Sequence, residues 1–340
     1  MREAIATVAA GRDLDERGMR AVVDVVMSGA ATPAQVGSLL TALRMKGESV
    51  DELVGTARAL RARMLRVPWR GVVVDTCGTG GDGADLFNVS TAVALVVAGA
   101  GVAVAKHGNR AQSGRVGGAD VLEALGVRID LPPGGVARCL ERAGIGFCFA
   151  PRFHAAMRYA AGPRREIGLR TIFNLVGPLA NPGGAAVQLV GVSEPRWTVP
   201  MAEALHRLGA TRALVVHGSG LDEISTIGPT RVSEVGTDGV RTYDLAPSDF
   251  GLGRCDAPPR VADAAGSAAV IRAVLAGAAG PARDLVLVNA AATLGLTGLA
   301  ADYRVGMAVA AAAIDGGAAA RALARLVETS NEYKDEAEPV

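Results

Sequence analysis

The chain has 340 residues, half of them apolar and only 4% aromatic, with a formal net charge of +1. That length allows a large domain and a smaller one, with an Ala, Val and Leu core that needs no staples. Near-zero net charge gives no electrostatic case for nucleic acid or an anionic membrane surface. The opening Met1-Arg2-Glu3 lacks the marks of a signal peptide. Residues 1–70 read as helices. Thr32-Pro33-Ala34-Gln35 is a capping box with proline at the first helical position, and Gly47 suits the far end. Between them Val36, Leu39, Leu40 and Leu43 recur at helical spacing. Ser49-Val50-Asp51-Glu52 is a second box, with Leu53, Val54, Ala57 and Leu60 expected inward.

The informative stretch is 72–126. An apolar strand over 72–75 empties into Gly78-Thr79-Gly80-Gly81-Asp82-Gly83, and Asn88-Val89-Ser90-Thr91 opens an Ala/Val/Leu helix. A second strand over 102–105 ends in Lys106-His107-Gly108-Asn109-Arg110. Two strands thus deliver polar loops to one sheet end, where ligands sit in open α/β sheets. Glycines let backbone N–H groups approach an anion, and a helix N-terminus behind them favours phosphate. Ser90 reads as the N-cap, with its hydroxyl alternatively facing a phosphate or a metal. The loop formally fits G-x-G-x-x-G. The helix begins too late, however, Asp82 would sit beside the pyrophosphate, and the second strand ends in Lys-His rather than an acid. No Gly-Lys-Ser/Thr closes it, so it is not a Walker A loop. An acid within a phosphate loop points to a shared divalent cation; the plain alternative is a tight glycine turn. Although 89–105 is uncharged, its polar residues and glycines split it into helix, turn and strand, too short and broken to span a membrane.

Beyond Gly126 strands and helices alternate, as in a parallel sheet covered by helices. Strands are expected at 147–150, 187–192 and 213–217, and helices at 200–208 and 270–276. Thr237-Asp238-Gly239 within 232–240 signals a hairpin. Ala-rich helices at 284–294 and 305–327 close the chain, and 332–340 reads as a charged, frayed end. The fold class is therefore α/β: a small N-terminal all-helical domain, 1–70, and a large α/β domain, 71–340, with a mostly parallel central sheet covered by helices.

The four cysteines, Cys77, Cys139, Cys148 and Cys255, show no metal spacing and read as reduced thiols of a cytoplasmic protein. Cys77 beside the loop reads as a small buried hydrophobe rather than a nucleophile. His107, His154 and His217 are expected near the site and His206 on the surface. Asp222-Glu223 follows a strand end, where two carboxylates suit a hard cation such as Mg²⁺ or form a solvated turn. Arg164-Arg165 offers a planar guanidinium for a carboxylate. Lys106 stands out because the chain has only three lysines.

Gly78-Thr79-Gly80-Gly81-Asp82, Asn88-Val89-Ser90-Thr91, Lys106-His107-Gly108-Asn109-Arg110, the run from Arg170 through Asn181-Pro182, and Leu221-Asp222-Glu223-Ile224-Ser225 agree in order and spacing with one family. The sequence resembles the anthranilate phosphoribosyltransferases of tryptophan biosynthesis over nearly its whole length. Pyrimidine nucleoside phosphorylases are more distant cousins of the same fold. The resemblance implies transfer of a 5-phosphoribosyl group from phosphoribosyl diphosphate (PRPP) to anthranilate, with Mg²⁺, two ions being the expected count. It places PRPP on Gly78, Thr79, Gly81, Asp82, Asn88, Val89, Ser90, Thr91, Lys106, His107, Gly108, Asn109, Arg110, Ser113, Gly114 and Gly118. Anthranilate falls to Gly78, His107, Asn109, His154 and Arg164, and metal to Ser90, Asp222 and Glu223. No residue is assigned covalent or acid–base chemistry. A homodimer through the helical domain, completed by helices around 160–180, is implied, with no nucleic-acid or membrane partner. The alternatives are a pyrimidine nucleoside phosphorylase and a non-catalytic nucleic-acid-binding relative. The sequence departs from the family's serine-rich loop after Arg110, where only Ser113 remains with Gly114, Arg115 and Gly118. It also departs at Leu86, Ala155 and Gly162-Pro163.

Overall fold

The computed structural model describes residues 1–111, 116–253 and 255–334. Four helices open the chain: α1 Arg2–Ala9, α2 Glu16–Met27, α3 Pro33–Lys46 and α4 Val50–Arg63. Both expected capping boxes form. Thr32 accepts from Gln35 N–H and Ser49 from Glu52 N–H, while each N3 side chain returns the bond. Gly47, at φ +88°, ends α3. All eight inward-facing residues predicted in α3 and α4 are buried.

Seven strands follow: β1 Val74–Gly78, β2 Val104–Gly108, β3 Ile145–Phe149, β4 Val187–Gly191, β5 Arg212–Gly218, β6 Thr230–Gly236 and β7 Gly239–Leu245. They form one sheet in the order β3-β2-β1-β4-β5-β6-β7. The first five are parallel, and β6 and β7 add antiparallel. The β6–β7 connection is the Thr237-Asp238-Gly239 turn, with Gly239 at φ +107°. From β1 the chain first winds one way through β2 and β3, then returns to the other side of β1 as β4. The reversal makes β1/β4 the switch point, where a crevice opens beyond the strand C-termini.

Two apolar cores cover the sheet. One face packs on α5, Val89–Gly99, which is buried along almost its whole length, and on the C-terminal helices. The other face shares one core with α2–α4, residues Ala160 and 172–180, and the helix Thr198–Arg207.

Several local expectations change. β1 starts two residues later than read, because Val72 is exposed and Gly78 still pairs with Gly191. The N-cap of α5 is Asn88, not Ser90; its Oδ1 accepts from Thr91 N–H at 3.0 Å. The single helix read over 305–327 is two, Tyr303–Asp315 and Ala318–Glu332, because Gly316-Gly317 interrupts it with Gly317 left-handed at φ +70°. Among the described residues no single helix is long and apolar enough to cross a membrane.

Candidate active site

Three strands end in glycine where one loop must pass. Gly78 closes β1, Gly191 closes β4 and Gly218 closes β5. After β5 the chain turns sharply through Ser219 (φ +51°) and Gly220 (φ +91°), and Gly218 and Leu221 exchange backbone bonds of 2.9 and 3.0 Å. Asp222-Glu223 therefore folds back over the strand ends. A Cβ on Gly191 would overlap the Asp222 carbonyl, and one on Gly218 the Glu223 carbonyl. A Cβ on Gly78 would sit 2.5 Å from Asp222 Oδ2. The carboxylates approach the glycine loop only because these positions carry no side chain.

The loop is tied to them directly. Asp222 Oδ2 accepts from Gly80 N–H at 2.9 Å, and Asp82 Oδ2 accepts from Asp222 N–H at 3.3 Å. Burial and the Asp82 charge raise the Asp222 carboxyl above its ordinary range; burial and Asp222 do the same to Glu223. Carboxylates crowded this way favour a bound cation. Among the described residues no three His, Cys, Asp or Glu side chains are arranged to hold a metal alone. That donor set fits Mg²⁺, which takes one or two carboxylates and completes its shell with water and phosphate oxygens.

Across the cleft, Lys106 is almost fully buried and donates to the Thr76 carbonyl at 2.8 Å and to Ser90 Oγ at 3.0 Å. Burial lowers its pKa, while Asp75, Cys77 and Glu223 favour its charge. Ser90 Oγ in turn donates to Asn88 Oδ1 at 3.2 Å, so its hydroxyl is oriented from two sides. Below, Asp75 is fully buried and accepts from His107 N–H at 3.2 Å and Asn181 Nδ2 at 2.7 Å. Asn181 also donates to the Ala105 carbonyl, linking β1 and β2 to the segment 178–182.

The apolar end holds two histidines 5.1 Å apart between ring centroids. His107 Nδ1 lies 3.1 Å from the Gly177 carbonyl, and His154 Nε2 lies 3.0 Å from that of Ala180. Each of those nitrogens must carry the hydrogen. Burial, and for His107 also the neighbouring His154, lowers their pKa values to about 3 and about 4, so both rings are neutral. Arg164, on the helix Arg158–Ile167, lies over the Phe173 ring at 5.5 Å from its centroid. Glycine loop, carboxylates, histidines and Arg164 all line one cleft of about 730 Å³.

Comparison with known proteins agrees with this geometry. Residues 70–320 match the family described as "Glycosyl transferase family, a/b domain", and residues 2–64 its helical bundle domain. The anthranilate phosphoribosyltransferase of Moorella thermoacetica is 54% identical over 330 residues, covering 95% of this chain and 96% of that one. The chain belongs to the anthranilate phosphoribosyltransferase family. The Thermus thermophilus member superposes with a TM-score of 0.89 at 44% identity, covering 96% of this chain and 99% of that one. The Saccharomyces cerevisiae member, solved in complex with PRPP and Mg, gives 0.88 at 26% identity over 98% of each. That yeast protein has also been solved with 4-fluoroanthranilate.

Of the residues that the family resemblance singles out, nearly all line the cleft. Thr91 does not: it is buried beneath, with Oγ1 donating to Asn88 Oδ1 at 2.6 Å. Arg110 lines the cleft but is drawn outward by Glu123 (2.6 Å) and Asp120 (3.0 Å). Gly118 is the first residue of the helix Gly118–Ala124, and a Cβ there would come 3.7 Å from Lys106 Cε. Ser113, Gly114 and Arg115 lie outside the described residues. His217 is not at the cleft, contrary to expectation, because its Nδ1 bonds the Val192 carbonyl behind β4. His206 is exposed on its helix, as read. Sequence reasoning assigned no role to Asn181 or Arg170. Both stood in the matched segment, so the signal was a polar residue kept within a recognised motif.

Proposed function

We infer that this chain transfers the 5-phosphoribosyl group of PRPP to the amine of anthranilate, giving N-(5-phosphoribosyl)anthranilate and diphosphate, the tryptophan-pathway reaction of its family. The observation that carries the reading is the meeting, in one cleft, of an anion-binding glycine loop, a carboxylate pair and a half-buried arginine beside neutral aromatic groups.

Departure of diphosphate leaves positive charge on the ribose and adds negative charge to the leaving group. The glycine loop of residues 78–83 and the N-terminus of α5 would flank that leaving group. Ser90, Asp222 and Glu223 would hold Mg²⁺, two ions in the expected count. Bound there, the metal supplies Lewis-acid neutralisation of the diphosphate oxygens. Arg164 grips the anthranilate carboxylate, and Asn109 helps aim the amine at the sugar carbon. The imidazoles of His107 and His154 wall the aromatic ring without adding charge. No covalent intermediate is needed, since the amine is itself the nucleophile and positioning does most of the work. The exposed apolar residues Met45 and Leu65, at the ends of α3 and α4, are consistent with a homodimer through the helical region. The four cysteines are unpaired, which accords with a cytoplasmic enzyme.

The test is anthranilate fluorescence followed with PRPP and Mg²⁺ together, and with each omitted. Loss of fluorescence only in the complete mixture supports the reading. Phosphorolysis of uridine or thymidine in its place would overturn it.

A further inference from the structure

Arg170 is held in place by local structure on both sides. Gly168, left-handed at φ +64°, closes the helix that carries Arg164, and Thr171 opens the helix Ile172–Leu175, its N–H donating to Asn174 Oδ1 at 2.9 Å. From this short link the guanidinium crosses to the glycine loop. Its Nη2 donates to the Thr79 carbonyl at 3.1 Å. Thr79 is gripped twice more: its N–H donates to the Gly191 carbonyl at 2.9 Å, and its hydroxyl accepts from Ser193 N–H at 3.2 Å. The guanidinium also occupies the space that a side chain at residue 81 would need, so a Cβ on Gly81 would collide with it. Gly81 is thus glycine for two reasons, its φ of +81° and the arginine packed against it. Asp222, Glu194 and Asp82 surround Arg170 with negative charge, and Arg44 opposes them.

We propose that Arg170 is a positioning residue for the donor: it clamps residues 79–81 and so fixes the shape of the loop that receives the diphosphate. Resting on the PRPP reading of that loop, the proposal adds a residue that acts through the loop. A planar fork can bond a carbonyl while lying flat against a glycine; a lysine ammonium cannot. Removing the clamp frees two adjacent glycines with positive φ, whose conformational freedom is the largest of any residue. Donor binding then has to re-order the loop, which weakens the donor and leaves the acceptor subsite around Arg164 and the histidines intact.

The experiment uses the full chain and steady-state kinetics in each substrate, with circular dichroism and melting temperature on every variant. Arg170→Ala is expected to raise the KM for PRPP tenfold or more while the anthranilate KM stays within twofold. Arg170→Lys, which keeps the charge, should show a smaller rise of the same kind. Gly81→Ala expels the guanidinium, so the Arg170→Ala/Gly81→Ala pair should bind PRPP no worse than Gly81→Ala alone. The proposal is overturned if a folded Arg170→Ala has a PRPP KM within twofold of the parent, if both KM values rise together, or if the two defects multiply. Should Arg170→Ala fail to fold, Arg170→Lys decides by the same KM split. An inactive parent enzyme would overturn the PRPP reading itself; an active parent with an unaltered Arg170→Ala overturns the clamp alone.

Discussion

Lys106→Met keeps the apolar stem of a buried lysine and deletes its ammonium. In the native chain that ammonium donates to the Thr76 carbonyl and to Ser90 Oγ, and it offsets the charge of Asp75 and Glu223 in a region shielded from water. A hydrogen bond to a charged group contributes about 1.5–3 kcal/mol, and stripping the partner from a buried charge costs about 3–5 kcal/mol. The two figures describe overlapping losses, so the larger sets the expectation. At about 2 °C per kcal/mol for a chain of this size, the melting temperature should fall by about 6–10 °C. Asp75→Asn in the same chain removes one uncompensated carboxylate and should recover part of the loss, a coupling of about 0.5–3 kcal/mol. The assay is calorimetric melting of the two single variants and the double, with the PRPP KM measured beside it. That KM should rise as well, since Ser90 loses one of its two orienting partners. If Lys106→Met melts within about 2 °C of the parent, or the two substitutions add without coupling, the account of the buried charges is wrong.

Arg164→Ala should raise the anthranilate KM by about 10- to 100-fold, from a charge-assisted contact of about 1.5–3 kcal/mol, and the PRPP KM far less; equal changes would make Arg164 structural. Asp222→Ala with Glu223→Ala should abolish turnover at limiting Mg²⁺, and near-normal rates there would remove both from the metal site. Because His107 and His154 titrate at about 3 and about 4 in the fold against 6.5 unfolded, their contribution is complete above pH 6.5 and disappears as pH falls toward those values. For His154 alone this amounts to about 3 kcal/mol between about pH 7 and about pH 4. His154→Gln, which can still donate to Ala180, should flatten that acid limb in urea titrations, and an unchanged slope would show that the ring is not held neutral.

What the sequence revealed was mostly local. Thr32 with Gln35, and Ser49 with Glu52, are four-residue signals that fix both ends of a bond, so the caps formed as read. The Thr237-Asp238-Gly239 turn was equally self-contained. Errors arose where the deciding partner lay far away in the chain. β1 runs on into Gly78 because Gly191 is there to pair with it, which no glycine-rich string announces. Ser90 and Asn88 are both competent caps; Asn88 takes the Thr91 amide, and the Ser90 hydroxyl is engaged with Lys106 and Asn88 instead. His217 looked like site chemistry until the Val192 carbonyl claimed its ring. The cleft residues were legible through motifs, but the cross-links made by Arg170 and Asn181 depend on contacts 91 and 106 residues away.

The reversal of winding at β1 and β4 has a consequence for what this scaffold can become. The hollow beyond those strands is created by the path of the main chain, so no exchange of surface side chains can fill it. Its glycine-loop side comes from the turns that follow β1, β2 and β5, whereas its apolar end combines His107 on β2 with residues from the stretch between β3 and β4. Grafting a different stretch there should retarget the nucleophile while the ribosyl source stays the same.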